Sequence, residues 1–312
     1  HKDAFLDTFE LERERGITIF SKQAEFTWKD LCGTLLDTPG HTDFSAEMER
    51  TLQVLDYAVL VISGTDGIQG HTETLLKLLQ TYKIPVFLFV NKMDLPGCDK
   101  SHLLEELNRR FGDGFIDFSI CGTDAFYESI AMCDENALET YMNNSEVPGN
   151  MIAKMIAERK VFPCFFGSAL KLDGVEQFMD HLCEYTMEKN YPEEFAAKVF
   201  KVTRDDNGKR LSWMKITGGE LKVKQLITYK NGESEKADQI RIYSGTKYEA
   251  AEKAGSGTIC AVTGLTQAVP GQGLGIQKDS LRPLLEPVLT YQMLFPDGTD
   301  IHDMMRKLRE LE

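Results

Sequence analysis

Four short motifs hold residue types that could do chemistry together. Asp37-Thr38-Pro39-Gly40-His41 follows the apolar pair Leu35-Leu36. An Asp at a strand end can hold Mg2+ through water, and a Gly lets a backbone N–H approach the terminal phosphate of a nucleotide. His41 would sit beside that phosphate, able to orient or polarise an attacking water. Asn91-Lys92-Met93-Asp94 follows the apolar run at 86–90. A carboxylate two residues past a Lys can accept from guanine N1 and N2 together, a charge-assisted pairing for which adenine has no donors. Lys92 would lie against the base and Asn91 would tie neighbouring loops. Gly167-Ser168-Ala169-Leu170 follows the run at 162–166, where the Ala169 N–H could meet guanine O6. Upstream, Arg15-Gly16-Ile17-Thr18-Ile19 places Thr18 on a loop, where its hydroxyl could reach Mg2+ and its N–H a γ-phosphate.

Each motif alone has a plainer reading. These are a Pro-Gly turn with a satisfied His, a polar turn after a strand, a Ser before a helix, and a β-branched strand entry. Their order decides: Thr loop, DTPGH, NKMD and GSAL arrive in succession. The last three sit at the carboxyl ends of expected parallel strands, where open α/β sheets bind ligands.

The elements that must position these residues follow from hydrophobic patterning. Residues 23–28 alternate, with Ala24, Phe26 and Trp28 on one side, and after Lys29-Asp30 a second run covers 31–36; this predicts a hairpin. Near-continuous apolar runs at 58–62, 86–90 and 162–166 alternate with amphipathic stretches such as 72–82 and 174–187. That is the pattern of buried parallel strands with crossover helices. After Lys189-Asn190-Tyr191-Pro192 the chain turns rich in Val, Thr, Tyr and Gly to about residue 275, with turns at Asp206-Asn207-Gly208, Gly218-Gly219, Asn231-Gly232 and Ser244-Gly245. This predicts a small antiparallel β-barrel. A strand at 285–294 and a helix from Asp300 open a third element. The expected division is 1–190, 191–282 and 283–312.

Composition narrows the function classes. With 42% hydrophobic and 27% charged residues in 312, and apolar runs only of strand length, the chain reads as soluble, globular and about two domains long, with no membrane partner. A net charge of −14 argues against a general binder of nucleic-acid backbone and against DNA as partner, although docking on a ribosome through other segments stays open. Seven scattered cysteines with no CxxC spacing indicate neither a zinc site nor a disulfide framework and fit a reducing cytoplasm. The start at His1 has no signal-peptide pattern and no initiator Met, and the last helix lacks a cap, so both ends are expected to be cuts in a longer chain.

RGITI, DTPGHTDF and NKMD in this order resemble the GTPase domain of translation factors, and the likeness extends along the chain. Residues 197–202, Gly218-Gly219 and Ala254-Gly255-Ser256-Gly257 resemble the family's second domain, a β-barrel; Pro287-Val288-Leu289-Thr290 with the helix from Asp300 resembles the start of its third. The stretch between Asn91 and Gly167 is shorter than the insertion typical of elongation factor G. It is closer to the tetracycline-resistance ribosomal protection proteins, which the segment at 137–142 also resembles. The resemblance implies a P-loop GTPase-type doubly wound α/β sheet, then the barrel, then the start of an α+β domain. It implies a GTPase using GTP or GDP and Mg2+, with the ribosome, its rRNA and proteins, as partner. Carried over residue by residue, it puts Thr18 and Asp37 at Mg2+, Gly40 at the γ-phosphate and His41 at the water. Asn91, Lys92, Asp94, Ser168, Ala169 and Leu170 fall around guanine.

The 312 residues depart from the family pattern in one respect. No GxxxxGK[ST] phosphate loop is present; the Gly208-Lys209 pair is followed by Arg210 in a turn of the second domain. The expectation is that residues preceding His1 supply that loop, together with the first, central strand of the sheet, and that without them Leu35 and Val59 are uncovered. A non-hydrolysing ribosome-docking module and a GTP switch acting away from ribosomes are the alternatives.

Overall fold

A computed structural model of the chain describes residues 6, 12, 18–19, 21–40, 45–280, 294–295, 300 and 302–305. His41, Arg15, Gly16, Ile17 and nearly all of the strand expected at 285–294 lie outside the described residues.

Strands β1 (Lys22–Trp28) and β2 (Leu31–Asp37) form an antiparallel hairpin, registered from Lys22 opposite Asp37 to Trp28 opposite Leu31. Its tip rests on a later helix, where the Trp28 indole N–H donates to Asp180 Oδ1 at 2.8 Å and Lys29 pairs with the same carboxylate at 2.7 Å. The chain continues through α1 (Ser45–Leu52), β3 (Ala58–Ser63), α2 (Gly70–Thr81), β4 (Val86–Asn91), α3 (Lys100–Phe111) and β5 (Phe115–Asp117). Then come α4 (Asp124–Ala131), α5 (Glu135–Asn144), α6 (Gly149–Ala157), β6 (Phe162–Phe166) and α7 (Val175–Tyr185). The four strands β3 to β6 make a parallel sheet in the order β3-β4-β6-β5. Patterning foresees three of them; β5 has three residues, too few for any periodicity to register.

The apolar run of β4 is continuous because both of its faces are covered. Phe87 and Phe89 pack with Phe118, Phe126, Ile152 and Phe165 on one face, while Val86 and Leu88 pack with Leu60, Ile62, Leu79 and Cys164 on the other. Phe87 and Leu88 are fully buried, each contributing on the order of 1.5–3 kcal/mol by leaving water. Strand β3 differs. Among the described residues it pairs only with β4, and Val59 and Val61 remain 41% and 59% exposed while Leu60 and Ile62 are buried. Leu35 on β2 is 49% exposed. Parallel strands are normally covered on both faces, so one side of β3 presents apolar surface that the described residues leave bare.

The second half is antiparallel throughout: β7 (Ala196–Arg204), β8 (Arg210–Gly218), β9 (Glu220–Lys222), β10 (Leu226–Thr228), β11 (Ser234–Lys236), β12 (Gln239–Ser244), β13 (Lys247–Ala251), β14 (Lys253–Gly255), β15 (Ile259–Thr263) and β16 (Gly273–Gly275). Six strands pair in the order β13-β12-β15-β8-β7-β16, and the ribbons β9–β14 and β10–β11 complete a small barrel around one core that includes Val199, Met214, Ile240, Val262 and Leu274. The β7–β8 turn shows why Asp-Asn-Gly sequences bend here: Asp205 Oδ1 accepts from the N–H groups of Asn207 and Lys209, and Gly208 takes φ 76°. In the third element, Asp300 caps a helical turn at 302–305 by accepting from the His302 N–H at 2.9 Å. Among the described residues no helix is long and apolar enough to cross a membrane, and no cluster of His, Cys, Asp or Glu has the arrangement of a metal site.

Candidate functional site

The loops after β4 and β6 meet. The Gly167 N–H donates to the Val90 carbonyl and the Met93 N–H to the Gly167 carbonyl, each at 3.0 Å. Asn91 Oδ1 accepts from the Lys92 N–H at 2.8 Å and the Ala169 N–H at 2.9 Å, joining the two loops through one side chain. This brings Asn91, Lys92, Asp94, Ser168, Ala169 and Leu170 into one place. The geometry is tightly determined. Lys92 takes a left-handed φ of 65°, uncommon for a residue with a side chain. A Cβ at Gly167 would lie 2.2 Å from the Asp173 carbonyl oxygen, so only glycine fits. Ser168 is buried and exchanges two backbone hydrogen bonds of 3.0 Å with Asp173.

Lys171 Nζ lies 2.9 Å from Asp94 Oδ2, and hydrogen bonds from Lys171 and Ser168 hold the Asp94 carboxyl below the usual carboxylate range. Asp94 is thus an anion at neutral pH, already satisfied by a lysine that is itself mostly exposed and able to swing away. The Ala169 N–H, expected to meet guanine O6, is donated to Asn91 Oδ1, so a base carbonyl there would have to share it. Leu170 is 84% exposed beside these groups.

A second group gathers at the end of the hairpin. The Thr18 hydroxyl donates to Asp37 Oδ2 at 3.5 Å, and the Ile19 N–H donates to Glu12 Oε1 at 3.0 Å. Glu12 is fully buried and paired with Lys22. Gly40 is exposed, and a Cβ there would meet nothing within 4 Å, so no neighbour among the described residues requires a glycine at that position.

Comparison with known proteins matches residues 1–188 to the elongation factor Tu GTP-binding domain and residues 194–273 to elongation factor G domain 2. The chain belongs to the family of the elongation factor Tu GTP-binding domain. It is similar to the tetracycline resistance protein TetP of Clostridium perfringens, 31% identical over 303 residues, covering 88% of this chain and 46% of that protein. It is similar as well to the tetracycline resistance protein TetO of Streptococcus pneumoniae, 30% identical over 270 residues, covering 81% of this chain and 42% of that protein. The chain therefore spans about half the length, or less, of the curated relatives it matches. A crystal structure of a protein from Thermus thermophilus superposes with a TM-score of 0.78 over 99% of this chain and 54% of that one, at 20% identity. That likeness establishes the fold: a parallel α/β sheet of the family's GTPase type followed by an antiparallel β domain.

Sequence reasoning missed several residues that shape these two clusters. Lys171, which neutralises Asp94, has no motif of its own beyond following Leu170. Gly64 packs against the Asn91 loop: its N–H donates to the Asn91 carbonyl at 2.8 Å, and a Cβ there would meet Met93 Sδ at 2.7 Å. Its place directly after the β3 run was the available signal. Glu12, which holds the Ile19 N–H, lies in a charged stretch that reads as an exposed segment.

Proposed function

We propose that this chain is the nucleotide-binding part of a cytoplasmic GTPase that acts on the ribosome, either like elongation factor G or like the ribosomal protection proteins. The single observation that carries the reading is the joining of the β4 and β6 loops through Asn91, which sets the Asp94 carboxylate beside Ser168 and Ala169 at the carboxyl ends of adjacent parallel strands. Asp94 would accept from guanine N1 and N2 on release of Lys171, Lys92 would lie along the base, and Ser168, Ala169 and Leu170 would border it. Thr18 and Asp37 place two hard oxygen donors 3.5 Å apart, a donor set suited to Mg2+. Thr18 and Asp37 would hold Mg2+, whose charge would there offset negative charge on a bound nucleotide. Among the described residues nothing crowds Gly40, which leaves room for its N–H to face a γ-phosphate. His41, one residue on, would orient the attacking water.

Catalysis of this kind rests on positioning and charge stabilisation and is slow until a partner completes the site. Among the described residues β3 pairs only with β4, so its other edge is open to a further strand, and the exposed Val59 and Val61 leave one of its faces for another element to cover. We assign 1–190 to the nucleotide-binding domain, 191–282 to the barrel and 283–312 to the opening of a third domain. A docking module that no longer hydrolyses would have no physical need to keep Thr18, Asp37, His41 and Asp94 together. GTP hydrolysis by the full-length protein is expected to rise by orders of magnitude when ribosomes are added, which a turnover assay with and without ribosomes measures. A rate unmoved by ribosomes, in protein that binds GTP, would reassign it as a switch acting elsewhere.

A further inference from the structure

The barrel reaches into the first domain through a charged side chain that neither the motifs nor the family comparison singles out. Lys201 on β7 is only 13% exposed, and its ammonium donates to Glu47 Oε1 at 2.8 Å and to the Ser21 carbonyl at 3.0 Å. These two partners come from different segments of the candidate site. Ser21 lies three residues past Thr18, and Glu47 lies in the first turn of α1, the helix that follows the Asp37–Gly40 stretch. Direct bonds reinforce the junction: the Ser21 N–H donates to Glu47 Oε1 at 3.4 Å, and the Ser21 and Thr51 hydroxyls share a hydrogen bond of 2.9 Å. Around it the domains are packed by Leu36, Val54, Phe200, Trp213 and Ile259, and the Gln23 amide donates to the Ile259 carbonyl at 3.3 Å.

We propose that Lys201 is a positioning residue that fixes the Thr18 segment relative to α1, and through it sets the preference for GTP over GDP. The inference rests on the reading of Thr18 as a contact to Mg2+ and the γ-phosphate. The physical reason is that a diphosphate offers Thr18 nothing at the γ position. Energy spent fixing Thr18 in place is then recovered only with a triphosphate. A rigid, barrel-borne cation that holds Ser21 and Glu47 together lowers that ordering cost before the nucleotide arrives. The cation is needed in place, because Glu47 is largely shielded and a neutral replacement leaves its carboxylate without its main partner.

A second lysine serves as the comparison. Lys215 on β8 is almost fully buried and donates to the Val54 carbonyl at 3.0 Å and to Asp56 at 2.5 Å. It grips the far end of the interface, beyond α1. Burial pushes the Lys215 ammonium pKa down despite Asp56. Burial would likewise raise the Asp56 carboxyl, but Lys215 and Lys189 together bring it below its ordinary value. Its hydrogen-bond partners lie at 54 and 56, past the end of α1, so Lys215 ties the two domains through residues other than Ser21 and Glu47.

The test measures dissociation constants of the full-length protein for GDP and for a non-hydrolysable GTP analogue in millimolar Mg2+, with thermal unfolding followed for every variant. Lys201→Met should weaken the GTP analogue by about tenfold, the worth of one charge-assisted hydrogen bond, while GDP affinity holds. Lys201→Arg should restore the preference. Lys215→Met should lower the unfolding temperature and leave the ratio of the two affinities unchanged. Equal weakening of both nucleotides by Lys201→Met, or a ratio shift as large from Lys215→Met, overturns the inference by making Lys201 ordinary interface packing. The variant Thr18→Ala separates the two levels. If it leaves the ratio unmoved, the reading of Thr18 fails and takes the inference with it; if it lowers the ratio and Lys201→Met does not, the inference alone falls.

Discussion

Asp94→Asn in the full-length protein should move nucleotide preference from guanine toward xanthine. On the proposed reading the carboxylate would accept from two guanine donors, whereas an amide can donate to the carbonyl that xanthine carries in place of the guanine amino group. Each hydrogen bond to a charged partner is worth about 1.5–3 kcal/mol, so GTP affinity should fall by at least tenfold and xanthosine triphosphate affinity should rise. Competition binding with the two triphosphates reads both changes. The structure adds a side effect: the amide no longer holds Lys171, now 2.9 Å from the carboxylate, so the loop after β6 should become more open to exchange. Unchanged preference for GTP would remove Asp94 from the base.

The second large effect concerns His41. His41→Ala should lower ribosome-stimulated hydrolysis by a factor of about 100 or more, as expected for a group that positions or polarises the attacking water. GDP affinity should be nearly intact, because GDP presents no γ-phosphate for that water to attack. Single-turnover hydrolysis on ribosomes, with GDP binding measured alongside, separates the two. Equal loss of both would make His41 a structural residue of the turn after Pro39.

The parts of this protein legible in its sequence are those set by local pattern. The run 86–90 is apolar at every position because Phe87 and Phe89 face one core while Val86 and Leu88 face the other, and such a run can be read without knowing what covers it. The turn at Asp205 to Lys209 is legible because a short acidic side chain and a glycine bend a chain for reasons contained within five residues. The motifs were findable for the same reason, since each is contiguous and the last three fall at strand ends. The four parallel strands were not all legible, because the three residues of β5 take their strand form only from pairing with β6.

The contacts that connect motifs were not legible either. Ser21, Glu47 and Lys201 meet at one point although they are of common type and spread over most of the chain, so no spacing marks them. Glu12 shows the same limit: in sequence it is one of several charges, and in the fold it is fully buried beneath Ile19. The Ala169 N–H was legible as a donor at the right loop but not as one already engaged by Asn91, because that depends on how two loops approach. Sequence pattern identifies what a segment can offer; tertiary geometry decides to whom it is offered.

The most direct measurement is a fluorescence titration of labelled GDP against the full-length protein, followed by competition with unlabelled GTP and ATP. The account predicts saturable binding that GTP displaces and ATP does not, since only guanine supplies the paired donors that the Asp94 carboxylate would accept. Displacement by ATP as readily as by GTP, or no binding by folded protein, would contradict it.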